Sequence, residues 1–423
     1  MSRYVLSLIF LTLGWAYPVA AQDASGISID ALTANIVASN PERRFYADQI
    51  DAAGAERGAA GRLPDPELSV EFGQRRAADP LTGAHTGDGA AYAVSILQPI
   101  EFGGRIALRR AIAEHQLSLA RIGLAQFDAT LAARGRSLGY ALFAADEKAA
   151  AAGDVASRMR ALAEVMIQRD AAGPAPRLEA AILQAAAISA ERTAALADAD
   201  ANGILYELNQ LRGAPFDARI RIIRPDVSLP ALPGGDRIME EASANNFELQ
   251  SLRVQMEQQG LRVDLAKKAR IPTVAIGPYY DHARSDNIET NYGVRLSTTL
   301  PLWNGQAAGV AQEQGKQAQA DAALLAARRQ IARQVFEQAA LYGAKRDALD
   351  RWPADAPARF AAAARAADGN FRMGAIPVAT YVEMQSQYLA ALSAVLDTRR
   401  EALAALLQLR ALNGGQTPGG GAQ

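Results

Sequence analysis

The 423-residue chain contains no cysteine. That excludes disulfides, thiolate zinc centres, cysteine nucleophiles and lipid modification of an N-terminal cysteine. Aromatic residues make up only 6%, and alanine supplies much of the 50% apolar fraction. Such a composition favours long, closely packed helices over a thick core. Neither sign of charge dominates: 44 Lys and Arg stand against 45 Asp and Glu. A surface built for a polyanion such as nucleic acid is therefore not expected. Histidine is scarce, and His85, His115 and His282 include no pair at helical ligand spacing. We expect them to be packed or solvated, His85 and His282 in loops, with no metal site and no cofactor. Beyond residue 21 no apolar run approaches the roughly 20 residues of a transmembrane helix.

The first residues do carry a short apolar run. Arg3 precedes "YVLSLIFLTLGWA", and small residues at Val19–Ala21 offer a cleavage site before Gln22. This is the grammar of an export signal over 1–21.

The chain is written twice. Pro99 and Pro301 stand 301 − 99 = 202 apart, as do Gly103 and Gly305. "GPAPRLEAAILQ" from Gly173 and "GAIPVATYVEMQ" from Gly374 stand 201 apart, each with Gln eight residues after its proline, at Gln184 and Gln385. "LNQLRG" and "LRALNG" end at Gly213 and Gly414, again 201 apart. Ordered anchors at a near-constant offset point to a tandem duplication. The expected organisation is a first unit over 22–211, an irregular proline-rich linker over 212–236, a second unit over 237–414 and a flexible Gly-rich tail over 415–423.

Each unit repeats one series. A helix covers about 28–60, or 236–269. A strand pair follows over about 66–99, or 272–301. "ELSVEFG" and "TVAIGPYYD" alternate apolar and polar residues, as do the runs ending at Pro99 and Pro301. The strands are expected to be seven to ten residues long, separated by polar loops at "RRAADPLTGAHTGDG" and "HARSDNIET". Long helical stretches run over 104–172 and 305–373, expected to break near Gly153 and at Pro353 and Pro357. Gly-x-x-Pro turns at Gly173, Pro176 and at Gly374, Pro377 lead into return helices of about 37 residues. Helices of such length need lateral neighbours and read as a wall. Four strands with one apolar and one polar face have open edges, which in lipid must be closed by other copies of the chain. Pro99, Gly103, Gly104, Pro301 and Gly305 then mark where a barrel passes into the helical wall.

"LPDPELSVEFG", "LQPIEFGGR", "TLPLWNGQ" and "FRMGAIPVATYVEMQSQYLAA" resemble, in order and across the mature chain, the TolC-like outer-membrane channel family. "QPIEFGGR" is most similar to its heavy-metal subgroup, of the cobalt-zinc-cadmium type. The resemblance implies a mainly α protein with a membrane β-barrel. In it a homotrimer closes a twelve-stranded barrel onto a twelve-helix, coiled-coil-like periplasmic α-barrel. It implies a Gram-negative outer-membrane location, outer-membrane lipid around the barrel, a periplasmic adaptor (membrane fusion) protein at the two tips, and an inner-membrane pump of RND type. It implies a passive duct, not an enzyme. Type I secretion or drug-efflux channels share these walls. A periplasmic adaptor could also carry long hairpins but would not need the strand pairs. Family members carry two aspartates after the second tip glycine; here those positions are Thr380 and Glu383, and the first tip carries Glu179. These three are the candidate gate residues.

Two motifs invite catalytic readings. "GRSLG", Gly135–Gly139, has the spacing of a nucleophile elbow, which needs a strand turning into a helix, yet it sits inside a long helical stretch. "GVAQEQGKQ", Gly309–Gln317, lacks both the P-loop spacing and a hydroxyl after Lys316. Neither is expected to act.

Overall fold

A computed structural model describes residues 26–168, 174–285, 287–299, 305–353 and 355–418. The expected export segment 1–21, the tip residue Gly173 and the junction residue Pro301 lie outside them.

The long alanine-rich stretches form helices. In chain order the elements are α1 (Ile29–Ser39), α2 (Arg43–Ala60), β1 (Glu67–Ala78), β2 (His85–Ile100), α3 (Arg105–Gln168), α4 (Pro174–Leu211), α5 (Gly235–Asn245), α6 (Phe247–Lys268), β3 (Val274–Arg284), β4 (Ile288–Thr298), α7 (Gly305–Arg351), α8 (Ala356–Arg372) and α9 (Val378–Leu412). At 1.5 Å per residue, the 64 residues of α3 span about 95 Å.

The four strands form one antiparallel sheet in the order β1-β2-β3-β4. Below it the helices that enter and leave the strands touch in the matching order, α2 on α3, α3 on α6 and α6 on α7. Sheet and helices are therefore one continuous wall. The return helices complete the structure, α4 along α3 and α9 along α3, α7 and α8. Apolar stripes fuse these helices. Leu32 and Ile36 of α1 are fully buried with Leu131, Leu142 and Leu208. Ile331, Val335, Leu406 and Leu409 join α7 to α9. Full burial of each such side chain contributes ~1.5–3 kcal/mol.

Several expectations are corrected. Each leading helix is two. The first is interrupted after Ser39, where Pro41 follows Asn40, and the second at Asn246. Buried Asn40 donates Nδ2–H to the Leu211 carbonyl at 2.8 Å, and buried Asn246 donates to the Leu412 carbonyl at 3.0 Å. The acceptors stand 412 − 211 = 201 apart. Strands have 12, 16, 11 and 11 residues, longer than expected. Most of both polar loops is strand, because paired polar residues extend the ladder until Asp79 turns the chain, accepting N–H bonds from Leu81 and Thr82. The two histidines expected in loops accordingly lie on strands, His85 at the start of β2 and His282 on β3, paired with Thr290. Gly153 does not break α3; a glycine within a packed helix costs about 1 kcal/mol and does not end it. The proline break is there: α7 stops at Arg351 before Pro353, and Pro357 occupies the first turn of α8, where its missing N–H costs nothing.

Candidate functional site

The strand alternation sorts side chains onto two faces. Leu68, Val70 and Phe72 of β1 pair across to Ile96, Val94 and Tyr92 of β2, and Ile276 and Tyr280 of β3 to Leu296 and Tyr292 of β4. All of these are exposed, Phe72 at 84% and Tyr292 at 81%. So broad an apolar surface on a chain in water would be an aggregation site, and implies an apolar surrounding. The opposite face carries Glu67, Glu71 and Arg75 on β1, Asp281 on β3, and Glu289, Asn291 and Arg295 on β4. Arg75 on one edge strand makes a two-pronged ion pair with Glu289 on the other, with Nη2–Oε1 at 2.7 Å. Two strands separate them, so the sheet must curl, concave on its polar side. Arg295 also lies over the Tyr279 ring at 5.1 Å. Among the described residues the outer edges of β1 and β4 have no partner strand.

The junction from strand to helix is tight. Pro99 and Ile100 still pair with Ala275 and Val274. Gly103 and Gly104 then both adopt φ of 77°, a conformation that costs other residues 1–2 kcal/mol, and α3 begins at Arg105. Glu101, with 8% of its side chain exposed, bonds Arg109 and lies 3.5 Å from Arg105. Arg105 also donates to Thr273 Oγ1 at 3.0 Å, tying the start of α3 to the start of β3. The second junction begins α7 at Gly305.

At the far end α8 reverses into α9. Gly374 takes φ of 73°, and the next amide, Ala375 N–H, donates to Asn370 O at 2.8 Å, so the left-handed glycine closes the helix end. Pro377 starts α9 in an extended conformation. Val378, Tyr381 and Gln385 then form a buried stripe against α3, α4 and α8. Gln385, fully buried, donates to Ala364 O at 2.8 Å, whereas Gln184 is exposed. Tyr381 stacks on Phe371 at 5.0 Å. Its hydroxyl, Asp368 Oδ1 and Arg158 Nε are buried without hydrogen-bond partners among the described residues. Burial first, and then the charge of Asp368, push the Tyr381 phenol up to about 12.

Thr380 and Glu383 lie on the opposite, exposed face of α9, and Glu383 accepts a hydrogen bond from Gln387 at 2.6 Å. Glu179 is exposed on α4, one turn beyond Pro176 near the start of that helix. None of the three gate candidates is bonded to another among the described residues. Composition and spacing did not reveal the Arg158–Asp368–Tyr381 cluster. Nor did they reveal Lys148 of α3 bridging to Asp397 of α9 at 2.7 Å. Both are pairings between helices far apart in sequence, with no local signal.

Ser137 sits on α3 with no preceding strand, and Lys316 on α7 is engaged by Glu313 at 2.7 Å. His115 lies 3.9 Å from Glu257, and His85 close to Asp88. Among the described residues no group of His, Asp and Glu could hold a metal, and no helix is long and apolar enough to cross a membrane.

Residues 238–415 match the family described as Outer membrane efflux protein. No curated protein sequence matches the chain. Its fold is that of solved channels. The crystal structure of CusC, a study of transmembrane channel formation, superposes with TM-score 0.72 at 12% identity, over 92% of this chain and 93% of that one. A membrane protein from Pseudomonas aeruginosa gives 0.75 at 17% identity, over 94% and 93%. The Campylobacter jejuni CmeC outer membrane channel gives 0.72 at 13%, over 99% and 95%. Residues 238–415 are thus similar to the outer membrane efflux protein family, and the chain shares the mainly helical fold of solved outer-membrane channels.

Proposed function

We propose that this chain is the outer-membrane exit duct of a tripartite efflux system, a passive conduit and not an enzyme. The observation that carries it is the curved four-stranded sheet with an apolar convex face, a polar concave face and two edges unpaired among the described residues, continuous with long helices of which α3 spans about 95 Å. In hydrocarbon each unsatisfied backbone group at those edges would cost several kcal/mol, so copies must pair edge to edge. Three copies, each built of two repeats at 22–211 and 237–414 about the linker 212–236, supply twelve strands. The long helices then continue the barrel as a tunnel through the periplasm.

The two Gly-x-x-Pro ends, Gly173 and Pro176, and Gly374 and Pro377, are the tips that meet a periplasmic adaptor. An inner-membrane pump of RND type supplies the energy. Glu383 lies two turns from the second tip on an exposed helix face. Under threefold symmetry one such carboxylate becomes a ring of three, and rings of carboxylates select for cations. Thr380 supplies no second ring, and Glu179 adds charge at the first tip. The wording of the first junction, Gln98–Arg105, favours heavy-metal cations as cargo. A duct needs no tight metal site, which would obstruct flow.

Reconstitution into planar bilayers tests this. The mature protein should form discrete, voltage-tolerant conductance steps, as a water-filled pore does. Vesicle-bound protein that never conducts would overturn the duct reading.

A further inference from the structure

The start of α3 is flanked by two arginine-lined clefts. One, of about 650 Å³, lies between α2 and α3 and is lined by Arg57, Gly61, Glu101, Arg105 and Arg110 among others. The other, of about 350 Å³, is lined by Arg105, Arg109, Arg262 and Glu313. Arg62 joins Arg57 and Arg110 around a smaller adjoining hollow. Six guanidiniums thus face three carboxylates, Glu101, Glu114 and Glu313, which leaves 6 − 3 = 3 positive charges in excess.

The carboxylates are already engaged. Glu101 is held by Arg109 and Arg105, Glu114 by Arg57, and Glu313 by Lys316 and Gln259. The Arg62 and Arg110 guanidiniums form no hydrogen bond or ion pair among the described residues, although the Arg62 amide donates to Ala59 O. Arg105 Nε is buried without a hydrogen-bond partner among the described residues. Both clefts are lined by Arg105, the first residue of α3, and a helix start favours an anion.

The position says which anion. Arg105 is five residues beyond Ile100, the end of β2, and exposed Phe102 and Leu63 lie between the apolar strand face and the arginines in the chain. Gln98 shares the strand parity of Ile96 and Val94, and its side chain donates to Pro64 O at 2.8 Å. The turn that follows Gly61 and Arg62 therefore lies on the apolar, convex side of the sheet. Where an apolar band ends at a bilayer, lipid phosphates begin. A planar guanidinium matches phosphate oxygens in two-pronged fashion.

We propose that this arginine cluster binds the phosphate of a glycerophospholipid headgroup at the periplasmic rim of the sheet. The inference rests on the membrane-embedded reading of the strands. Bound lipid would fix the depth of the wall in the membrane and supply the partners that Arg62 and Arg110 lack.

Native mass spectrometry of detergent-purified protein tests it, with phosphatidylglycerol, a diacylglycerol of the same chains, or inorganic phosphate added separately. Phosphatidylglycerol should be retained and the phosphate-free diacylglycerol should not. The double substitution Arg62→Gln and Arg110→Gln, which breaks no bond of the fold, should weaken retention about tenfold. It should leave bilayer conductance unchanged, which shows that the protein still folds and inserts. Equal retention of both lipids, retention unaffected by the substitutions, or binding of inorganic phosphate without the lipid would overturn the headgroup site while leaving the channel standing. Loss of conductance by the unsubstituted protein would instead overturn the membrane reading on which the site depends.

Discussion

Tyr381 shows what one buried side chain near a tip sets. Its hydroxyl has no hydrogen-bond partner among the described residues, and its phenol is pushed up to about 12 by burial and by Asp368. A raised folded-state value means the neutral form is preferred in the fold. Its contribution is therefore complete below the ordinary tyrosine value near 10 and is lost as pH rises through about 12. Tyr381→Phe should flatten the loss of stability between pH 10 and 12, followed by circular dichroism. Because a buried unpaired donor costs ~1–3 kcal/mol, the same variant should be no less stable at pH 7. A steeper alkaline loss would show that the hydroxyl has a partner in the assembly. Glu383 sits on the exposed side of the same helix. If three copies form a ring, divalent cations added on the tip side should block bilayer current, and Glu383→Gln should relieve the block. Higher ionic strength should weaken it, since screening shortens the reach of the charge. Equal block of both proteins would make Glu383 an ordinary solvated residue.

Elements were legible where local chemistry decides them. Alternation in "ELSVEFG" and the run to Pro99 marked strands, the Gly-x-x-Pro at Gly374 marked a reversal, and Pro353 marked a break. Three things were not legible. Gly153 was expected to interrupt α3, but a helix packed along its length tolerates one glycine. The splits at Asn40 and Asn246 depend on carbonyls 171 and 166 residues away. The strands outran their apolar pattern because ladder pairing continues through polar residues such as Arg75, Arg76 and Asp88. The splits are testable. Asn246 caps α6 by accepting from Leu249 N–H at 3.1 Å while donating to Leu412 O. Asn246→Ala removes the cap and strands a carbonyl, so unfolding stability should fall by about 2 kcal/mol; an unchanged denaturation midpoint would refute the capping role. Gly374→Val forces a β-branched residue to φ of 73°, at a cost of ~1–2 kcal/mol. Amide exchange should rise over the α8–α9 turn and stay unchanged in the sheet. Protection retained in the turn would contradict the strain argument.

For the whole molecule, the proposed duct needs more than one chain. The wall that runs from β1-β2-β3-β4 into α2, α3, α6 and α7 has two unfinished margins, and its outward strand face is apolar from Leu68 to Leu296. Both features were foreshadowed in the sequence: the paired anchors pointed to four strands, and alternation gave each strand an apolar and a polar side. What sequence could not supply was the curl of the sheet, which the Arg75–Glu289 pair across the concave face reveals. Closure by identical copies is the central claim, and the mass of the folded particle tests it most directly. Native mass spectrometry of the detergent-solubilised protein should give three chains per particle, with no folded species of one chain. A stable, folded monomer that keeps its strand content in detergent would contradict the account.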